Sequence, residues 1–265
     1  MKMIKPIFAI VGLTAALISN AQAAELQSPQ NASPVVARYS PRWSGFYAGV
    51  SAGGGFGNTS IVTTGQATAN VNNVNGGARP ALTSVDRQGV LGGGQIGYNH
   101  QLGKLVLGLE TDFSGSSING QRTVVTTTLT GGASLNNNYS SSLTYLGTVR
   151  GRVGYTFGRT LIYGTGGYAY GKSEHSANLF GPSPANVLQF TGSSNSLKSG
   201  FVAGGGLEYA MARKLSVKGE YLYYGLGSDT LNVAVITGSG GGGTGYNTRF
   251  ENHGNLLRLG LNYRF

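Results

Sequence analysis

Asn255-Leu256-Leu257-Arg258-Leu259-Gly260-Leu261-Asn262-Tyr263-Arg264-Phe265 ends the 265-residue chain. From Leu257 onward every second residue is apolar: Leu257, Leu259, Leu261, Tyr263 and Phe265. Between them stand Arg258, Gly260, Asn262 and Arg264. Period-2 alternation predicts a strand with one apolar and one polar face. Arginine opposite leucine on so regular a strand asks what lies on each side of it.

The same alternation recurs seven times upstream. Phe46, Ala48, Val50 and Ala52 alternate with Tyr47, Gly49, Ser51 and Gly53, and a weaker version runs over 90–99 around Ile96 and Tyr98. Leu105, Leu107, Leu109, Thr111 and Phe113 share one parity, as do Leu143, Tyr145, Val149, Val153 and Tyr155. In 160–171 the apolar set is Leu161, Tyr163 and Ala169, which turns Tyr168 and Tyr170 to the other face. Phe201, Ala203, Leu207 and Tyr209, then Leu215, Val217, Tyr221 and Tyr223, complete eight predicted strands with the terminal one. Their connections alternate. Short turns fall at 100–104, 157–159 and 211–214, and long Gly/Ser/Thr/Asn-rich segments at 57–88, 115–141, 174–197 and 225–251. Long loops are uncommon in compact soluble domains. Short turns at one end and long loops at the other describe a transmembrane barrel.

Composition points the same way. Only 11% of residues are charged and 46 are glycine, against roughly a quarter charged in soluble domains. No segment reaches the ~20 consecutive apolar residues of a spanning helix. Lys2 and Lys5, the apolar run 7–18 and Ala21-Gln22-Ala23 form a secretory leader over 1–23. A proline-bearing lead-in follows over 24–42, and the barrel is expected over 43–265. The absence of cysteine excludes disulfides and thiolate chemistry. Removing Lys2 and Lys5 takes the net charge from +10 to +8, but the basic residues never cluster, so nucleic acid is not an expected partner. Lys104, Arg159, Arg213 and Lys214 instead sit on the short turns, where lipid headgroups and cell-wall anions are the expected neighbours; outer-membrane lipids and lipopolysaccharide are the expected partners of the barrel as a whole.

The charges give the sharpest discrimination. With each apolar parity facing lipid, the strand charges are Glu110, Asp112, Arg150, Arg152, Glu208, Lys218, Glu220, Arg258 and Arg264, all on the opposite parity. An Arg or Lys facing lipid at mid-depth costs roughly 2–4 kcal/mol. The arginines are therefore expected inside and the leucines in the bilayer. A backbone in hydrocarbon must also satisfy its own hydrogen bonds, so the sheet has to close. Four acids and five bases then share a lumen too narrow for a broad channel, and buried charges need partners. Glu110 and Asp112 are expected to pair with Arg150 and Arg152, and Glu208 with Lys218 and groups around Glu220. Arg258 and Arg264 are expected to close the set, with Gly49, Gly97, Gly108, Gly204 and Gly206 leaving room.

Apparent catalytic motifs lack their context. Gly166–Ser173 matches G-x-x-x-x-G-K-[ST], but no helix pattern follows to hold phosphate. Gly92–Gly97 matches G-x-G-x-x-G inside a strand pattern. No G-x-S-x-G elbow with an acid and a histidine is evident, no metal site is expected from the histidine spacing, and an enzyme is not expected. Of three histidines, His175 and His253 lie near the outer ends of the fifth and eighth strands and are the candidate haem contacts.

Trp43-Ser44-Gly45-Phe46-Tyr47-Ala48-Gly49 and Tyr145-Leu146-Gly147-Thr148-Val149-Arg150-Gly151-Arg152-Val153-Gly154-Tyr155 carry a wider resemblance. So do Gly206-Leu207-Glu208-Tyr209, Val217-Lys218-Gly219-Glu220-Tyr221-Leu222-Tyr223 and Tyr263-Arg264-Phe265. The chain resembles the RopB-type small outer-membrane proteins, relatives of opacity proteins, of the OmpA barrel and of hemin-binding barrels. The resemblance implies an all-β, eight-stranded antiparallel barrel with periplasmic turns and four long extracellular loops, in a Gram-negative outer membrane. It implies roles in envelope integrity and contact with host surface molecules. It also implies recognition by the barrel-assembly machinery through Tyr263 and Phe265. A narrow porin and a haem-binding or adhesive surface protein are the alternatives.

Overall fold

The structure, a computed structural model, describes residues 41–265; the leader at 1–23 and the lead-in up to residue 40 lie outside the described residues. Eight strands follow in chain order: β1 (Gly45–Gly65), β2 (Leu82–Leu102), β3 (Leu105–Thr127), β4 (Ser134–Phe157), β5 (Thr160–Pro182), β6 (Leu188–Ala210), β7 (Leu215–Val235) and β8 (Gly245–Arg264). Each pairs antiparallel with the next, and β1 pairs with β8, so the sheet is a closed barrel. In that closing seam Tyr47 lies opposite Arg264 and Val50 opposite Leu261. Two of the short turns are two-residue links, and each needs a glycine at positive φ: Gly103 (62°) and Gly158 (59°).

The outer wall explains the strand pattern. Leu105, Leu107, Leu109 and Phe113, or Leu257, Leu259, Leu261 and Tyr263, point outward and are exposed; Leu259 keeps 68% of its surface. About ten residues per strand take part, which at ~3.3 Å per residue and ~40° tilt gives a band roughly 25 Å high, the thickness of a bilayer core. Aromatic pairs mark both edges. Phe46–Tyr98, Tyr155–Phe157 and Tyr263–Phe265 lie at the short-turn edge, and Phe113–Tyr145, Tyr168–Tyr170 and Phe201–Tyr223 at the other. Lys104 and Lys214 sit over Tyr155 and Tyr263 at the first edge.

Beyond the second girdle the wall changes chemistry rather than ending. Asp86, Lys172, Glu174, Arg249 and Glu251 now point outward. The four long segments lie at this end as expected, but most of their length is strand. β4 alone runs 24 residues, so paired hairpins stand on the order of 30 Å above the band at strand rise. Ser, Thr and Asn on both faces hid this extension, because alternation marks a strand only where its two faces meet different media.

Two parities differ from expectation. On β5, Ile162 and Tyr168 face out while Leu161, Tyr163 and Ala169 are buried, the reverse of the sequence assignment. Residues 160–171 carry no charge, and each face mixes apolar residues, glycine and one threonine, so nothing in that stretch distinguishes inside from outside. On β4 a register shift between Leu143 and Tyr145 inserts one residue. That bulge turns Leu143 into the lumen beside Leu146.

The interior is layered. From the short-turn end come an apolar cluster with Trp43, Leu161 and Tyr163, then a charged layer, then a second apolar cluster with Leu91, Ile118 and Leu222. A polar layer around Arg87 and His175 follows, and a third cluster with Tyr139, Phe190 and Phe250 lies under the mouth. Helix α1 (Thr68–Asn75) sits at that mouth, unforeseen because Asn and β-branched residues are poor helix formers. Buried Asn70 anchors it, donating to the Gly242 carbonyl at 3.0 Å and accepting from the Thr244 N–H at 3.1 Å. The longest lapse in the wall lies between β6 and β7. Between Thr191 and Phe201 the regular β6–β7 ladder lapses, and Asp229 accepts from Ser194 (2.5 Å), Ser196 (2.9 Å) and Lys198 (3.0 Å).

Candidate functional site

Inward positions of β3, β4, β6, β7 and β8 converge just above the Trp43 cluster. All nine predicted lumen charges are buried on the inner face. Eight form one network. Arg150 reaches Glu110, Asp112 at 3.1 Å and, across the lumen on β7, Glu220 at 2.9 Å. Arg258 bridges Asp112 (2.9 Å) and Glu220 (2.6 Å). Arg152 pairs with Glu208 at 2.8 Å and lies 3.6 Å from Glu110. Lys218 stands opposite Glu208 in the β6–β7 register but turns to Glu110 at 2.8 Å. Its expected pairing with Glu208 is thus replaced, because Arg152 already occupies Glu208, while Glu220 lies 4.0 Å from Lys218.

Arg264 departs from expectation as well. It stacks over the Trp43 ring, 4.5 Å from the centroid, and donates to the Arg42 carbonyl at the short-turn end. Its role there is to floor the barrel below the network.

Neutral donors that the charge pattern did not single out complete the layer. Tyr47 donates to Glu110 at 2.7 Å and Tyr163 to Glu220 at 3.0 Å, while Ser216 and Asn262 donate to Glu208 at 2.6 and 3.0 Å. Tyr47 stood on the polar parity of its strand and was legible; Tyr163 was masked by the ambiguous parity of β5. The lumen glycines supply the space. A Cβ at Gly97 would strike the Tyr47 ring, and one at Gly206 the Tyr163 ring and hydroxyl. A buried ion pair is tolerable only with such dense hydrogen bonding.

The haem candidates are not brought together. His175 faces the lumen, buried and stacked on Phe250 at 4.6 Å, whereas His253 faces outward beside Tyr223. Burial, and next the Arg87 guanidinium, push the His175 pKa down to about 4. The two glycine-rich motifs at 92–97 and 166–173 are both strand interior. Two buried cations, Arg79 and Arg87, lay within a segment taken as loop. Arg79 bonds to Asn137 and to the Phe180 carbonyl, both at 2.8 Å, beneath the mouth.

Comparison with known proteins agrees with this architecture. The family described as outer membrane protein beta-barrel domain matches residues 10–265. The 31 kDa outer-membrane immunogenic protein of Brucella melitensis is 33% identical over 261 residues, 97% of this chain and 98% of that protein. A 22 kDa outer membrane protein of Rhizobium leguminosarum is 29% identical over 177 residues, covering 65% of this chain and 66% of its own. Among solved structures, the outer membrane protein OprG from Pseudomonas aeruginosa shares the fold, with a TM-score of 0.51 and 11% identity over 85% of this chain and 98% of that one.

Proposed function

The chain belongs to the outer membrane protein beta-barrel domain family, and from that premise we propose that it is a structural, surface-exposed barrel with a closed lumen. Its tall hairpins meet the cell's surroundings, including host molecules, while the barrel itself contributes to envelope integrity. It performs no catalysis in this reading. Lipopolysaccharide is its neighbour around the outer half of the wall, and the assembly machinery engages β8. The observation that carries the closed lumen is the charged layer, in which guanidinium groups from β4 and β8 cross to a carboxylate on β7 with every partner buried. The name of the Brucella relative, an immunogenic protein, supports exposure of the hairpins.

The reading is tested by purified protein in planar bilayers and by intact cells carrying an epitope at the 128–133 tip. No stable conductance steps and full antibody labelling are expected. Sustained single-channel steps would reinstate the narrow porin, and an unlabelled tip would remove the surface role.

A further inference from the structure

Charge is balanced within the eight-residue network of the lower lumen and unbalanced in the polar layer above it. Glu110, Asp112, Glu208 and Glu220 are matched by Arg150, Arg152, Lys218 and Arg258. In the polar layer above, Asp229 is taken by Lys198. Arg87 is 2% exposed. Its recorded contacts are the His253 carbonyl at 2.9 Å and a long 3.3 Å approach to Ser141 Oγ, and its Nε has no partner. Among the described residues no carboxylate forms an ion pair with it. A buried, unpaired cation costs several kcal/mol.

The groups sharing its layer are unsatisfied too. Both ring nitrogens of His175, both amide atoms of Asn252 and Ser173 Oγ are buried without a well-formed hydrogen bond, the approach of the Asn252 amide to the His175 ring being their one polar contact with each other. They converge from β5 and β8 onto Arg87 of β2: Ser141 stands opposite His175 in the β4–β5 register, and Asn252 lies beside His175. Donors dominate, comprising the guanidinium, one imidazole N–H, an amide NH2 and two hydroxyls. Water could satisfy those donors but would leave the charge uncompensated. The Leu91/Leu222 cluster below and the Phe250 cluster above enclose the layer.

We propose that Arg87, His175, Asn252, Ser141 and Ser173 form an internal site for one small monovalent inorganic anion of halide size. One formal positive charge sets the valence, and enclosure between apolar layers sets the size. A dianion would bring a second, unmatched charge at much greater desolvation cost.

Bromide is the probe, because it substitutes for chloride and scatters anomalously. In crystals of the full mature barrel grown in sodium bromide, an anomalous peak is expected within hydrogen-bond distance of the Arg87 guanidinium. In detergent, the thermal midpoint is expected to rise about 5 °C over a hundredfold increase in bromide at constant ionic strength, with gluconate as the balancing ion. In R87Q and in N252L that rise is expected to vanish. A wild-type map with water alone in the layer would overturn the proposal, as would a midpoint indifferent to bromide. The wild-type measurements stand even if R87Q does not fold.

Discussion

At the scale of single residues, the lumen is a place where removing a charge is worse than never having had one. Glu220 receives Arg150, Arg258 and the Tyr163 hydroxyl. Glu220→Gln leaves two guanidinium groups short of a counter-charge and is expected to destabilise the barrel by about 3–5 kcal/mol. Arg258→Met alone should be similarly harmful. The pair combined should cost less than the sum, a coupling that urea-unfolding midpoints in a double-mutant cycle would measure. His175 makes a pH prediction. Its pKa lies at about 4, below the ordinary imidazole value of 6.5, so the unfolded chain takes up the proton first. Stability is therefore expected to fall as pH drops from about 6.5 to 4 and to level off below. The full effect is on the order of 3 kcal/mol. Arg87 and Lys198 oppose protonation and Asp229 favours it. Comparing His175→Gln with the parent at pH 7 and pH 4.5, without halide, isolates the contribution.

At the scale of the element, one strand carries two opposite rules on alternate residues. Leu259 and Arg258 are neighbours, one exposed to lipid and the other 1% exposed inside. Leu259→Arg should cost roughly 2–4 kcal/mol in folding into vesicles, whereas arginine one position earlier is already accommodated by two acids. This double rule is why β8, β3 and β7 could be read from their residues alone. Lipid purges one face of charge so strictly that the other face is identified by contrast. The contrast fails on β5, where no charge lies between Thr160 and Gly171, and at Thr144, where a bulge resets the count. It fails again above the band, where water bathes the outside and Arg79 and Arg87 resemble loop cations.

At the scale of the whole molecule, closure makes the barrel a single cooperative object with stacked interior floors. Gly97→Ala tests how tightly those floors are joined. The new methyl group would displace the Tyr47 ring, and with it a donor to Glu110 that lies far from position 97 in sequence. A lowered thermal midpoint is expected, and Tyr47→Phe in the same background should add little, because the displaced hydroxyl has already been lost. One break in the wall has a kinetic counterpart. Where β6 and β7 are tied by the Asp229 carboxylate in place of a continuous ladder, the amide hydrogens of 193–199 that point toward β7 lack the protection that pairing with β5 gives their neighbours. Deuterium from the solvent should enter there first, so isotope uptake would map the seam through which the upper barrel breathes.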